Sequence, residues 1–141
     1  MSDAIVTKIH WSFWTIGAFA LVWNGLGAAN FFAQMSPDIL ATYRESERVV
    51  VESRPAWATA AFAIAVFGGV LGSALLLLRK SLALQVFVVS LLGVIVTMLH
   101  TLGSGINFGP AEIAGIILMP LAVAVFLIWY ARHATNKGWT T

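Results

Sequence analysis

Four long apolar stretches alternate with short polar segments along the chain. They cover residues 11–34, 56–78, 81–103 and 110–131, in which His100 and Glu112 are the only acidic, basic or histidine residues. A transmembrane helix needs about 20 consecutive, mostly apolar residues to cross the hydrocarbon core of a bilayer. The pattern therefore predicts an all-α, polytopic membrane protein with a single four-helix transmembrane domain spanning residues 1–141.

Prolines and a basic pair mark the boundaries of these stretches. Pro37 follows the first stretch, Pro55 precedes the second and Pro110 begins the fourth; proline cannot continue a helix but is tolerated in its first turn. Arg79 and Lys80 separate the second stretch from the third. Because this linker is so short, we expect spans two and three to be antiparallel neighbours.

Basic residues are divided unevenly between the two sides of the predicted bundle. One side carries Lys8, Arg79, Lys80, Arg132 and Lys137, and the other carries Arg44, Arg48 and Arg54. Loops rich in Lys and Arg stay in the cytoplasm, whereas acidic residues contribute little to orientation. The distribution predicts a bundle with both termini cytoplasmic and with residues 36–54 outside.

The outer loop, residues 36–54, has its own amphipathic pattern. Ile39, Tyr43 and Val50 fall on one helical face, and most of the charged residues lie elsewhere. This pattern predicts a short outer amphipathic helix between spans one and two. Such a helix can lie on the membrane surface, fold over the mouth of the bundle or act as a solvated connector, and the pattern favours the connector.

Span two carries a stripe of small residues on one helical face, and Gly68 and Gly72 within it have the Gly-xxx-Gly spacing. Small residues allow helix backbones to approach closely where lipid removes the hydrophobic driving force. We interpret Gly68 and Gly72 as helix-packing residues. The full stripe consists of Ala58, Ala61, Ala65, Gly68 and Gly72.

Polar residues from three spans are expected at one depth near the outer side. Asn30 and Gln34 share a face of span one, His100 lies in the outer half of span three and Glu112 is in the first turn of span four. Asn107, in the loop between spans three and four, could join them. These residues predict an outward-facing, ligand-binding polar pocket in which His100 and Glu112 form a proton-responsive pair. The alternative is that the same groups hydrogen-bond to one another and lock the bundle.

Composition excludes several classes of protein. The chain is 60% hydrophobic and 10% charged, with a mean hydropathy of +0.89, whereas soluble domains average about 25% charged residues. A soluble enzyme and a nucleic-acid-binding protein are therefore excluded. The absence of cysteine excludes disulfides, thiolate metal sites and iron–sulfur clusters.

The spans also lack the residues that common cofactors need. His100 is the only histidine within them and no lysine lies at a span centre, so a bis-histidine haem, a zinc site and a retinal Schiff base are not expected. No catalytic triad, phosphate-binding loop or metalloprotease motif is present. We therefore expect no catalytic residues, no cofactor and no metal, and a protein that is not an enzyme.

The sequence of residues 55–69, PAWATAAFAIAVFGG, is followed by LLLLRK at residues 75–80 and preceded by Trp23 and Asn24. With the acidic outer loop, these features resemble a group of small uncharacterised bacterial four-helix membrane proteins, some of them labelled sugar transporters. The resemblance covers most of the chain and implies a location in the bacterial inner membrane. Its motifs are helix-packing patterns, so it implies no site residues.

Two functional hypotheses follow. The first is a transport or small-ligand-binding protein that uses the outer polar pocket and assembles as a homo-oligomer, since a single four-helix chain is expected to enclose little volume. The second is a non-catalytic accessory subunit or interaction scaffold of a larger membrane complex, in which a small-residue face would remain free for a partner. Both hypotheses imply contact with membrane lipid and none with nucleic acid.

Overall fold

The computed structural model describes residues 8–104 and 108–141. Within these residues the chain is helical and has no β-strand. The helices are α1 (Trp11–Ala33), α2 (Pro37–Leu40), α3 (Glu45–Glu52), α4 (Ala56–Leu77), α5 (Leu82–Gly103), α6 (Pro110–Ile113) and α7 (Met119–Asn136), with a π-helical segment at Ala114–Leu118 that joins α6 to α7.

The prediction of four membrane-spanning helices is confirmed. The helices Trp11–Ala33, Ala56–Leu77, Leu82–Gly103 and Pro110–Asn136 are long and apolar enough to cross a bilayer. The first three end within one residue of the predicted boundaries, but the fourth continues beyond the predicted end at residue 131. Within this extension Ala134 is fully buried and packs into the core at that end of the bundle.

A proline explains the irregular turn in the fourth span. Pro120 has no N–H, and its ring would clash with the carbonyl of Ile116, four residues earlier in an α-helix. The π-helical segment Ala114–Leu118 ends two residues before this proline and includes Ile116, so that a wider turn relieves the clash. The irregularity is therefore encoded locally, and it lies in the half of the span that begins at Pro110.

The spanning helices pack in the order α1–α4–α5–α7. Helix α4 packs along both α1 and α5, and α5 packs along α7, so the predicted pairing of spans two and three is confirmed. A Cβ atom added at Gly93 of α5 would lie 2.7 Å from the carbonyl oxygen of Ala61 in α4. Only glycine allows the two backbones to approach this closely.

A cluster of buried hydrophobic residues occupies one half of the bundle, which we call the base end; this half contains the start of α1, the α4–α5 turn and the end of α7. Phe13 of α1 is fully buried there, and its ring makes an edge-on contact with Trp139 at a centroid distance of 6.0 Å. The core consists of Phe13, Ala20, Leu76, Ala83, Phe87, Leu127, Tyr130, Ala131, Ala134 and Trp139.

The segment after α7 closes the base end through backbone pairing with the α4–α5 turn. The N–H of Thr141 donates to the carbonyl of Arg79 at 3.0 Å, and the N–H of Ser81 donates to the carbonyl of Thr141 at 3.0 Å. The guanidinium Nε of Arg79 donates to the carbonyl of Trp139 at 2.9 Å. These bonds hold the terminal segment against the core.

Large apolar side chains cover the outside of the bundle. Leu71 of α4 and Leu92 and Leu102 of α5 are between 53% and 58% exposed. An exterior of this kind suits hydrocarbon and would be costly in water. The fold is that of a multi-pass membrane protein.

Candidate functional site

The opposite half of the bundle, which we call the mouth end, contains a cavity of about 450 Å³. All four spanning helices contribute to its walls. A further wall, at the mouth, is formed by residues 43–54, which we call the cap segment. This volume lies within the range of small-molecule sites, about 300–1,000 Å³. The lining residues include Trp23, Asn30, Gln34, Arg54, Met98 and Ala124.

The cap segment covers the mouth and is anchored to the spanning helices on two sides. The hydroxyl of Tyr43 donates a hydrogen bond to Oδ1 of Asn30 in α1. On the other side, the hydroxyl of Ser46 donates to Oε2 of Glu112 in α6 at 2.5 Å. Val50 of α3 is 5% exposed because it faces the cavity. The interpretation of this segment as a solvated connector is therefore wrong, and the helix lies over the mouth of the bundle.

The reason for this placement lies in the amphipathic pattern. Of the three predicted apolar-face residues, Tyr43 and Val50 face the cavity, whereas Ile39 lies in the separate helix α2 and is 46% exposed. Val50, on the apolar face of α3, is buried against the bundle, where the apolar walls of the cavity lie below the mouth. Glu45 and Glu47 occupy its first turn, where a helix N-terminus favours carboxylates.

Arg54 brings a cation to the cavity mouth. Its Nη1 donates to Oε1 of Gln34 at 2.9 Å, and its Cζ lies 4.7 Å from the ring centroid of Phe62. The Nε–H is buried and has no hydrogen-bond partner among the described residues. Burial lowers the pKa of the Arg54 guanidinium from its ordinary value, but arginine stays protonated in proteins.

Most hydroxyl groups near the cavity are already engaged with backbone carbonyls. Ser90 donates to Ala65 O at 2.6 Å, Thr97 to Gly93 O at 2.8 Å, and Thr101 to Thr97 O at 3.0 Å. A hydroxyl whose hydrogen is engaged in this way has no donor left for a ligand, although its oxygen can still accept a hydrogen bond. The interior of the cavity is therefore mainly apolar, and its polar groups concentrate at the mouth.

Asn24 is the polar exception deeper in the bundle, and it packs between α1 and α4. Its Nδ2 donates to Ala20 O at 2.9 Å and to the hydroxyl of Ser73 at 3.5 Å. A Cβ atom at Gly69 would lie 1.9 Å from Asn24 Oδ1. A buried amide is costly without partners, so this arrangement accounts for the glycine and the serine that face it.

The four residues that the sequence assigned to a pocket all lie at the mouth end, but they do not converge on one point. Asn30 and Gln34 line the cavity, and both are occupied by the cap segment. His100 and Glu112 are not among the lining residues. Asn107, the fifth candidate, lies outside the described residues.

His100 packs toward α4. Its ring makes an edge-on contact with Trp57 at a centroid distance of 5.8 Å, and its Nδ1 is buried with no hydrogen-bond partner in the described part of the chain. Glu112 instead accepts the hydrogen bond from Ser46 described above. His100 and Glu112 therefore contact different residues, Trp57 and Ser46.

Gly68 and Gly72, the predicted packing residues, face α5 within the same chain. A Cβ atom at Gly68 would lie 3.2 Å from Ser90 Cβ, and one at Gly72 would lie 2.7 Å from the ring of Phe87. The small-residue stripe is thus used for packing between α4 and α5. It does not form a free face for a partner protein.

Sequence reasoning missed the roles of Arg54, Tyr43 and Asn24. Arg54 was considered only for orientation, although a basic residue directly before an apolar span is a candidate for the rim of a pocket. Asn24 had a clearer signal, because a polar side chain in the middle of a span must find partners. Tyr43 lies between α2 and α3 and not on the predicted helix, and nothing in the sequence identified Asn30 as its partner.

The described residues contain no group of three or more histidine, aspartate or glutamate side chains that could hold a metal ion. In the comparisons with known proteins, no family model, no curated protein and no solved structure matches the chain.

Proposed function

We propose that this membrane protein binds one small, mainly apolar molecule in the cavity beneath the cap segment, as a small-ligand-binding or transport protein. The observation that carries the proposal is the cavity itself, about 450 Å³ in volume and bounded by all four spanning helices. Concave, largely apolar sites with a few polar groups at one end are typical of small-molecule binding.

A second copy of the chain is not needed to form this site. The expectation of a homo-oligomer arose because a four-helix chain should enclose little volume, but the residues of one chain are sufficient to line the cavity. We therefore propose that a single chain is the binding unit. The accessory-subunit hypothesis gains no support from Gly68 and Gly72, because these residues contact α5.

We further propose that the base end faces the cytoplasm and that the cavity mouth faces outward from a bacterial inner membrane. Five basic residues lie toward the base end and three lie in or next to the cap segment, and this bias supports the orientation. The chain has no cysteine, so single-cysteine variants give a clean test. In intact cells, a membrane-impermeant maleimide should label Arg48→Cys and leave Lys137→Cys unlabelled; the reverse pattern would contradict the orientation.

Ligand binding can be tested through Trp23, which lines the cavity. Two probes of equal chain length, ω-bromodecanol and ω-bromodecanoate, quench tryptophan fluorescence when the bromine makes contact. In nanodiscs, at least one probe should quench the protein saturably, and the Trp23→Phe variant should lose the saturable component. Absence of saturable, Trp23-dependent quenching with both probes would overturn the proposal.

A matched pair of variants in α7 separates the cavity from the lipid-facing surface. Ala124 lines the cavity, whereas Ala122, two positions earlier, is exposed on the outside of the bundle. Ala124→Phe should fill the site and weaken probe binding, and Ala122→Phe should leave it unchanged. An equal loss of probe affinity in both variants would show that the probe does not bind in the cavity.

A further inference from the structure

Arg54 is a cation at the rim of the cavity, and no acidic side chain in the described part of the chain forms an ion pair with it. Among the described residues, the carboxylates that lie within 4 Å of an arginine belong to the pairs Arg44–Glu47 and Arg48–Glu52. Glu47 also lines the cavity, but its carboxylate accepts from Arg44 at 2.8 Å. The charge of Arg54 is therefore not balanced by an ion pair with any of the three glutamates nearby in sequence, Glu45, Glu47 and Glu52.

The contacts that Arg54 makes are with neutral groups. The amide oxygen of Gln34 accepts from Nη1, and the face of Phe62 lies beneath the guanidinium. These contacts hold the guanidinium in place at the rim, while its buried Nε–H has no acceptor in the described structure. A partly buried cation with an unused donor is stabilised by an anion that can reach it.

Below Arg54 the cavity offers an apolar environment. Val66 of α4, Val94 and Met98 of α5, and Val123 and Leu127 of α7 contribute to its walls. The nearby hydroxyls of Thr97 and Thr101 donate to carbonyls of their own helix. The part of a ligand that extends away from the mouth therefore meets mainly hydrocarbon.

These two environments, joined in one cavity, identify a class of ligand. We propose that the ligand is an amphiphile whose anionic head group contacts Arg54 at the mouth and whose apolar body extends between α1, α5 and α7. This inference rests on the proposed function and adds the ligand class to it. The chemistry that is recognised is an anionic head group on an apolar chain, and either a free amphiphile or a membrane lipid can supply it.

The two bromodecyl probes test the head group directly, because they differ only in a carboxylate and a hydroxyl. At neutral pH, ω-bromodecanoate should bind at least about tenfold more tightly than ω-bromodecanol, as expected for hydrogen bonds to a charged group. Equal affinities would overturn this inference and leave the proposed function standing. Absence of binding by both probes would overturn the proposed function itself.

A variant of Arg54 tests whether its side chain causes the preference for the carboxylate probe over the alcohol probe. Arg54→Gln should reduce the affinity for the carboxylate about tenfold and leave that for the alcohol nearly unchanged. Arg48→Gln, which removes the same charge from α3 at a residue that does not line the cavity, should keep the preference. A preference that survives Arg54→Gln would contradict the assignment. The comparison of the two probes on the unmodified protein needs no variant and stands even if Arg54→Gln fails to fold.

Bilayer composition distinguishes the two sources of the anion. The carboxylate probe is measured in nanodiscs of phosphatidylcholine alone and in nanodiscs that also contain phosphatidylglycerol. Competition by phosphatidylglycerol would support the anionic class with a membrane lipid as its source, and absence of competition would support a free amphiphile. In either case the preference for the carboxylate over the alcohol must be present in phosphatidylcholine, or the inference fails.

Discussion

Ser46 of α3 and Glu112 of α6 are joined by a hydrogen bond of 2.5 Å from the serine hydroxyl to the carboxylate. The two residues are separated by 66 positions in the sequence, and the bond connects the cap segment to the start of the fourth span. Together with the Tyr43–Asn30 and Arg54–Gln34 hydrogen bonds, it holds α3 across the mouth from opposite sides. The position of α3 thus depends on a few polar contacts in addition to its apolar face.

We predict that Ser46→Ala loosens the cap segment without unfolding the bundle. The variant removes the donor to Glu112, so α3 should open more often and its amide hydrogens should exchange faster with solvent. Hydrogen exchange followed by mass spectrometry in nanodiscs measures this. Ser53→Ala is the control, because the Ser53 hydroxyl bonds only to Val50 O within its own turn. Equal acceleration in both variants would show that the bond to Glu112 does not hold α3 in place.

Gly69→Ala should destabilise the bundle by about 1–3 kcal/mol, the usual cost of overpacking. The new Cβ would lie 1.9 Å from Oδ1 of Asn24, and the Asn24 side chain is held by its bonds to α1 and Ser73. The free energy of unfolding can be measured by titration with sodium dodecyl sulfate in mixed micelles. Gly25→Ala, where nothing lies within 4 Å of the added atom, should cause no loss of stability.

A double variant tests the cause of that effect. When Asn24 is first replaced by alanine, the clash is gone, so adding Gly69→Ala should cost much less than it does in the unmodified protein. Equal costs in the two backgrounds would mean that Gly69 is required for another reason.

Trp139→Ala should cost about 3–5 kcal/mol, as is typical when a buried tryptophan is truncated. Trp139 is 7% exposed and contacts Phe13 and Tyr130 in the core at the base end. Trp129, which is 58% exposed, provides the control: Trp129→Ala should change the free energy of unfolding by less than about 1 kcal/mol. Similar losses at the two positions would show that the terminal segment does not contribute to the core.

His100→Phe should leave both stability and probe affinity intact. Phenylalanine keeps an aromatic ring against Trp57 and removes the buried Nδ1 that lacks a partner, which favours the folded state. Because His100 does not line the cavity, the affinity for ω-bromodecanoate should not change. Met98→Trp, which enlarges a lining residue of the same helix, should weaken the binding of ω-bromodecanoate. A loss of affinity in His100→Phe would restore His100 to the binding site.

The polar residues show where sequence reasoning stopped. Helical periodicity placed Asn30 and Gln34 on one face of α1, and both line the cavity. The same reasoning placed His100 and Glu112 at a similar depth, but depth alone does not determine direction. His100 points toward Trp57 and Glu112 contacts Ser46. The depth of a side chain in the membrane follows from the number of residues between it and the end of its span. The neighbour that this side chain faces depends on how the other helices pack around the span.

The sequence by itself determined the four spans, because a bilayer requires about 20 consecutive apolar residues for each crossing. It also encoded the π-helical turn before Pro120 and the close packing at Gly93, which are properties of individual residue types. Only the tertiary structure decided that α3 covers the mouth and that Arg54 reaches the cavity. In a membrane protein the lipid-facing and cavity-facing sides of a helix are both apolar, so hydrophobic contrast does not distinguish them. The packing of all the helices together is what makes one of those apolar surfaces the wall of a cavity.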